Sequence, residues 1–138
     1  MEAMLREIST PALAYLGDSV VELCVRTMLV KKGVSSSKRL NAAALEYVTA
    51  KAQAQAVAKI LPLLTEEEDA VYHRGRNIGH TNVPKSASVT EYRMATGFEA
   101  LFGYLHLAGR NERIDELFAV AYGSETETDN GGNKNEQS

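Results

Sequence analysis

Residues 94–109 read MATGFEALFGYLHLAG, sixteen positions with a single charged side chain, Glu99, at the centre. The run is too short to cross a bilayer and is interrupted by Gly97 and Gly103, so it reads as a core helix. A carboxylate among Phe98, Leu101, Phe102 and Leu105 faces a large desolvation cost unless something binds it. A second acid stands in similar company: in Leu13 to Leu23, LAYLGDSVVEL, Asp18 sits inside an apolar helical run. Two acids, each in a helix that otherwise reads as buried, point to a carboxylate site that holds a cation.

The rest of the chain is helical by the same criteria. Ser9-Thr10-Pro11 starts a helix, with a hydroxyl cap ahead of proline in the first turn. Apolar residues then recur at Leu13, Leu16, Val20, Leu23 and Cys24, and Lys31-Lys32-Gly33 ends the element. A second helix is expected through the alanine-rich stretch from Leu40 to Leu61, stopped near Pro62. Thr65 with Glu68 forms a capping box for a short helix toward Tyr72, and Ser88 with Glu91 forms another for the helix carrying Glu99. A last helix spans Glu112 to Ala121. No alternating strand pattern and no repeat occurs, so the class is all-α.

The length of 138 residues suits one domain with a real core. We place that domain at residues 1–123 and expect 124–138, SETETDNGGNKNEQS, to be a disordered acidic tail. The tail carries four acids and one lysine, which accounts for the whole net charge of −3 and leaves the body neutral. A single cysteine, Cys24, excludes an intrachain disulfide framework and reads as a small core residue. The opening MEAMLREIST is too polar for a signal peptide. These features fit a reducing, cytoplasmic location without a membrane partner.

One interhelical stretch, His73 to Val89, reads as a long polar loop. It and its edges hold Arg74, Arg76, Lys85 and Arg93 with His73 and His80, against one acid, Glu91. A solvated surface loop is the plainer reading. A phosphate-contacting loop is favoured because the positive charge is concentrated in an otherwise balanced body.

On the first helix Ala14, Asp18 and Glu22 share a face, and Gly17 permits close approach of a neighbour. On the later helix Ala95, Thr96, Glu99, Gly103 and His106 share a face of mostly small residues, leaving room around the carboxylate. Facing acids of this kind suit Mg2+, which takes one or two carboxylates and completes its shell with water and phosphate oxygens. The alternative is a buried ion pair of Asp18 or Glu99 with Arg26, Lys51 or Arg93. Glu22 reads as a surface charge. The three histidines lack zinc spacing, and neither a P-loop nor a G-x-S-x-G elbow is present.

The segment from Leu13 to Leu23 resembles the signature helix of the ribonuclease III family, in which a leucine, a glycine and an aspartate occupy this spacing. Thr96-Gly-Phe-Glu-Ala-Leu-Phe-Gly-Tyr-Leu105 resembles the second acidic motif of that family, in the right order. Tyr47-Val-Thr-Ala-Lys-Ala-Gln-Ala54, Arg74-Gly-Arg-Asn77 and Tyr92-Arg-Met-Ala-Thr-Gly-Phe-Glu99 are similar to its short bacterial branch, which consists of the nuclease domain only. The resemblance covers roughly residues 8 to 122, leaving no room for a double-stranded RNA-binding domain.

It implies an all-helical, homodimeric endonuclease-domain fold and a magnesium-dependent endoribonuclease acting on double-stranded RNA. Asp18 and Glu99 would be its catalytic metal ligands, and the products would carry 5′-phosphate and 3′-hydroxyl ends. The expected substrate is the precursor of large-subunit (23S) ribosomal RNA, with a ribosomal protein as an assisting partner. Arg74, Arg76, His80, Lys85 and Arg93 are expected to contact the phosphates. Full-length family members carry further acids at positions matching Pro11, Ala14 and Thr96, and this chain has none of the three. That departure is the support for an alternative, a non-catalytic helical RNA-binding or assembly module. A helical nucleotide hydrolase is a remoter alternative, since its clustered acids at helical spacing are missing.

Overall fold

The computed structural model describes residues 7–78 and 88–123. The expected tail, together with His80 and Lys85, lies outside the described residues. Six α-helices are formed among those described: α1 Thr10–Lys31, α2 Ser37–Val48, α3 Ala50–Ile60, α4 Glu66–Arg76, α5 Val89–Leu107 and α6 Asn111–Phe118. A 3₁₀ turn, Leu61–Leu63, follows α3, and a wider π turn, Ala119–Gly123, follows α6.

The all-α expectation holds, and α5 is the axis. Phe98, Leu101, Phe102 and Leu105 on α5 are wholly buried, and α1, α3 and α4 pack around them with Val21, Val25, Val57 and Ile60. The local stops and starts are those the residues dictate. Ser9 accepts from the Ala12 amide at 3.2 Å, with proline in the first turn of α1. Both capping boxes close, Thr65 with Glu68 and Ser88 with Glu91. Gly33 and Gly109, at φ 93° and 74°, supply the left-handed residues that end α1 and α5.

Three expectations change. The predicted helix from Leu40 to Leu61 is two helices, α2 and α3, broken where Thr49 is extended (φ −68°, ψ 157°) and caps the Ala52 amide at 3.2 Å. The Tyr122 hydroxyl donates to the Tyr47 carbonyl at 2.8 Å, satisfying a carbonyl that the break releases. The expected polar loop begins late, because α4 continues through Arg76 instead of ending near Tyr72. The last helix starts at Asn111 and widens into the π turn after Phe118.

A buried ion pair ties the end of the bundle together. Glu68 is 1% exposed, and Arg113 grips it with two hydrogen bonds, 2.9 and 2.8 Å long, while also donating to the Leu63 carbonyl at 2.9 Å. Burial pushes the Glu68 carboxyl up, but the hydrogen bonds from Arg113 and Thr65 outweigh it and hold the group below its ordinary value.

Candidate active site

The crossing of α1 over α5 is set by two glycines. A Cβ on Gly17 would overlap the Glu99 carbonyl and lie 2.9 Å from the Gly103 nitrogen. A Cβ on Gly103 would in turn overlap the Leu13 carbonyl. The helices therefore touch backbone to backbone, and the residue after Gly17, Asp18, is delivered to Glu99. Eighty-one positions apart in sequence, the two carboxylates share a hydrogen bond.

The acids differ in environment. Asp18 is exposed, contrary to the buried setting expected for it; Leu13, Gly17, Val21 and Val25 turn the core face of α1 away from it. Glu99 is half-buried. Burial, followed by the charge of Asp18, pushes its carboxyl up to about 8, with a hydrogen bond from the Gln53 side chain acting in the opposite sense. Among the described residues neither acid is paired with Arg26, Lys51 or Arg93; Arg26 meets Glu22 at 2.9 Å on the surface instead. The acids remain a pair, with no third His, Cys, Asp or Glu among the described residues completing a cluster able to hold a metal ion. At the positions of the missing acids, Pro11 is exposed, Ala14 is buried, and Thr96 donates its hydroxyl to the Tyr92 carbonyl at 2.9 Å.

The same turn of α5 receives α4 from another side. A Cβ on Gly75 would stand 2.7 Å from the Ala100 Cβ and 3.1 Å from the Thr96 carbonyl. Gly75 thus lets the end of α4 lie on residues 96–100, with exposed Arg74 and Arg76 on either side of the contact. Arg74 reaches Thr10 at 3.4 Å, and Arg76 reaches Asn77 at 3.4 Å, both long contacts to neutral oxygens. Arg93 is exposed on α5. These three arginines and the acid pair are carried by elements that meet on one stretch of α5. One member of the site, Gln53, was missed in sequence; its place in the Tyr47–Ala54 motif was the available signal.

A ribonuclease III domain model matches residues 11–110. Mini-ribonuclease 3 of Enterococcus faecalis is 46% identical over 114 residues, covering 81% of this chain and 86% of that protein. Mini-ribonuclease 3 of Desulfitobacterium hafniense is 47% identical over 133 residues, covering 95% and 83% respectively. A crystal structure of a Fusobacterium nucleatum protein superposes with a TM-score of 0.79 at 32% identity, over 87% of this chain and 96% of that one. Fold and sequence thus define the class, an endoribonuclease. The chain belongs to the ribonuclease III family, in its Mini-ribonuclease 3 branch.

Proposed function

We propose that this endoribonuclease cleaves double-stranded RNA with the help of a divalent cation, Mg2+, held by Asp18 and Glu99. The observation that carries the reading is the meeting of two acids on crossing helices, one of them half-buried, without a basic partner among the described residues. Such a pair concentrates negative charge that a divalent cation relieves. It also suits magnesium, which needs only one or two carboxylates when water and phosphate fill its shell. When bound, the ion would polarise the scissile phosphodiester and lower the pKa of an attacking water.

The protein's part is to fix the two carboxylates at the Gly17–Gly103 crossing and to bring the duplex backbone to them. Arg74, Arg76 and Arg93 serve the second task, with His80 and Lys85 assigned to the same contacts. A-form RNA is recognised by shape, through phosphates and 2′-hydroxyls, so a locally basic edge suffices without a base-reading element. Hydrolysis joins the water oxygen to phosphorus and releases the 3′-oxygen, leaving 5′-phosphate and 3′-hydroxyl ends.

The resemblance to the short branch supports precursor 23S ribosomal RNA as the duplex, a ribosomal protein as helper and the cytoplasm as the location. It also supports a homodimer that cuts both strands. Tyr15, Leu23 and Val30 on α1 are 85%, 67% and 62% exposed, and a groove of about 630 Å³ runs along Leu23, Cys24, Met28 and Phe118. An apolar surface of this kind favours a protein contact. Sedimentation at micromolar concentration should give a dimer; a monomer would contradict two-strand cutting. No helix among the described residues is long and apolar enough to cross a membrane.

Cleavage of a long RNA duplex and of a hairpin precursor at low salt tests the reading. Magnesium should support cutting and EDTA should stop it, and Asp18→Asn should lower the rate on the order of 10³-fold while the variant still folds. Wild-type cutting by Asp18→Asn would reject the role of that residue. Binding without cutting by the wild type would favour the non-catalytic module.

A further inference from the structure

Two polar side chains are fully buried among the described residues, Gln53 at 2% and Glu68 at 1% exposure. Glu68 is explained by Arg113 and by its own capping box. Gln53 stands among Ala54, Ala56, Val57 and Ile60, where an aliphatic side chain would be the cheaper occupant. Its side chain hydrogen-bonds Glu99. We infer that Gln53 is a positioning residue for the metal site, its buried amide donating to the Glu99 carboxylate and holding it toward Asp18. The inference rests on the proposed metal-binding role of Asp18 and Glu99.

The packing says why such a residue is needed. The Glu99 backbone is immobilised where Gly17 meets its carbonyl, yet the glutamate side chain keeps its own torsional freedom. The cation ligand therefore has a fixed root and a loose tip. Gln53 fixes the tip from a third element, the first turn of α3, whose direction is set by the break at Thr49. A hydrogen bond to an ionised acceptor is stronger than a neutral one, and it offsets the cost of burying the amide. With few protein ligands on hand, orientation of each one matters more.

The test is Mn2+ binding to the RNA-free full chain, measured by calorimetry for wild type, Asp18→Asn, Gln53→Met and Gln53→Asn, each with its thermal midpoint. Binding by wild type that Asp18→Asn abolishes establishes the underlying site. No binding, or binding indifferent to Asp18→Asn, defeats the site and the inference with it. Given the site, Gln53→Met keeps the volume, removes the donor and should weaken Mn2+ binding about 10-fold or more, leaving the KM for duplex RNA unchanged. Gln53→Asn, which keeps an amide but withdraws it by one methylene, should shift affinity in the same direction and decides the matter if the methionine disturbs packing. A folded variant that is less stable but binds Mn2+ like wild type would overturn the assignment and leave Gln53 a structural residue.

Discussion

Glu68 and Glu99 are both carboxylates brought in from solvent, and the fold answers them in opposite ways. Glu68 receives a guanidinium, a cap and a place in the bundle's framework. Glu99 receives another acid. The first arrangement neutralises the charge within the chain and sets it below its ordinary pKa; the second gives the carboxyl a neutral amide, Gln53, but no cation among the described residues, and lifts it to about 8. The arginines divide along the same line. Arg113 is spent on Glu68, Glu116 and the Leu63 carbonyl, whereas among the described residues the hydrogen bonds of Arg74 and Arg76 are long contacts to neutral oxygens. Charge neutralised inside the chain maintains the fold, and charge left over is available to a ligand.

Breaking the neutralised pair should have the largest effect on stability. Glu68→Gln removes the anion beneath Arg113 and should cost about 3 kcal/mol in denaturant unfolding at pH 7, with the metal site intact. The wild-type pair has a depressed folded pKa, so its contribution is present above the unfolded value of 4.5 and is lost as pH falls through the folded one. The deficit of Glu68→Gln should therefore shrink in acid; a constant deficit from pH 7 to acid unfolding would contradict the assignment.

Glu99 has the opposite sign. Between its unfolded value of 4.5 and about 8 the folded chain holds the proton more tightly, so metal-free stability falls as pH rises through that window. Glu99→Gln should remove this slope and raise the metal-free thermal midpoint at pH 8 by about 5 °C, with little change at pH 4. A variant less stable than wild type at pH 8 would show that the carboxylate is neutralised within the chain after all. The smallest effects belong to the surface: Arg74→Ala and Arg76→Ala should leave stability unchanged and each reduce the salt slope of duplex binding by about 1. Unaltered affinity at low salt would remove both from the RNA contact.

Much of this was readable from short-range chemistry. Hydroxyl caps at Ser9, Thr65 and Ser88, and the glycines at 33 and 17, act within a few residues or through their own lack of a side chain. The meeting of Asp18 with Glu99 is a matter of tertiary packing, and the residues suggested the pair without being able to show it. The break at Thr49 was hidden because alanine-rich sequence of equal helix propensity lies on both sides. Gly75 read as part of a loop, although here it is a contact surface inside α4. Glu68 read as the capping-box partner of Thr65, and only the return of Arg113, 45 positions on, makes it a core residue.

The most direct measurement is anomalous diffraction from crystals of the RNA-free protein soaked in Mn2+. The account predicts a manganese peak in contact with both the Asp18 and the Glu99 carboxylates. A peak bound elsewhere with these two carboxylates still sharing their proton, or no peak at saturating Mn2+, would contradict it.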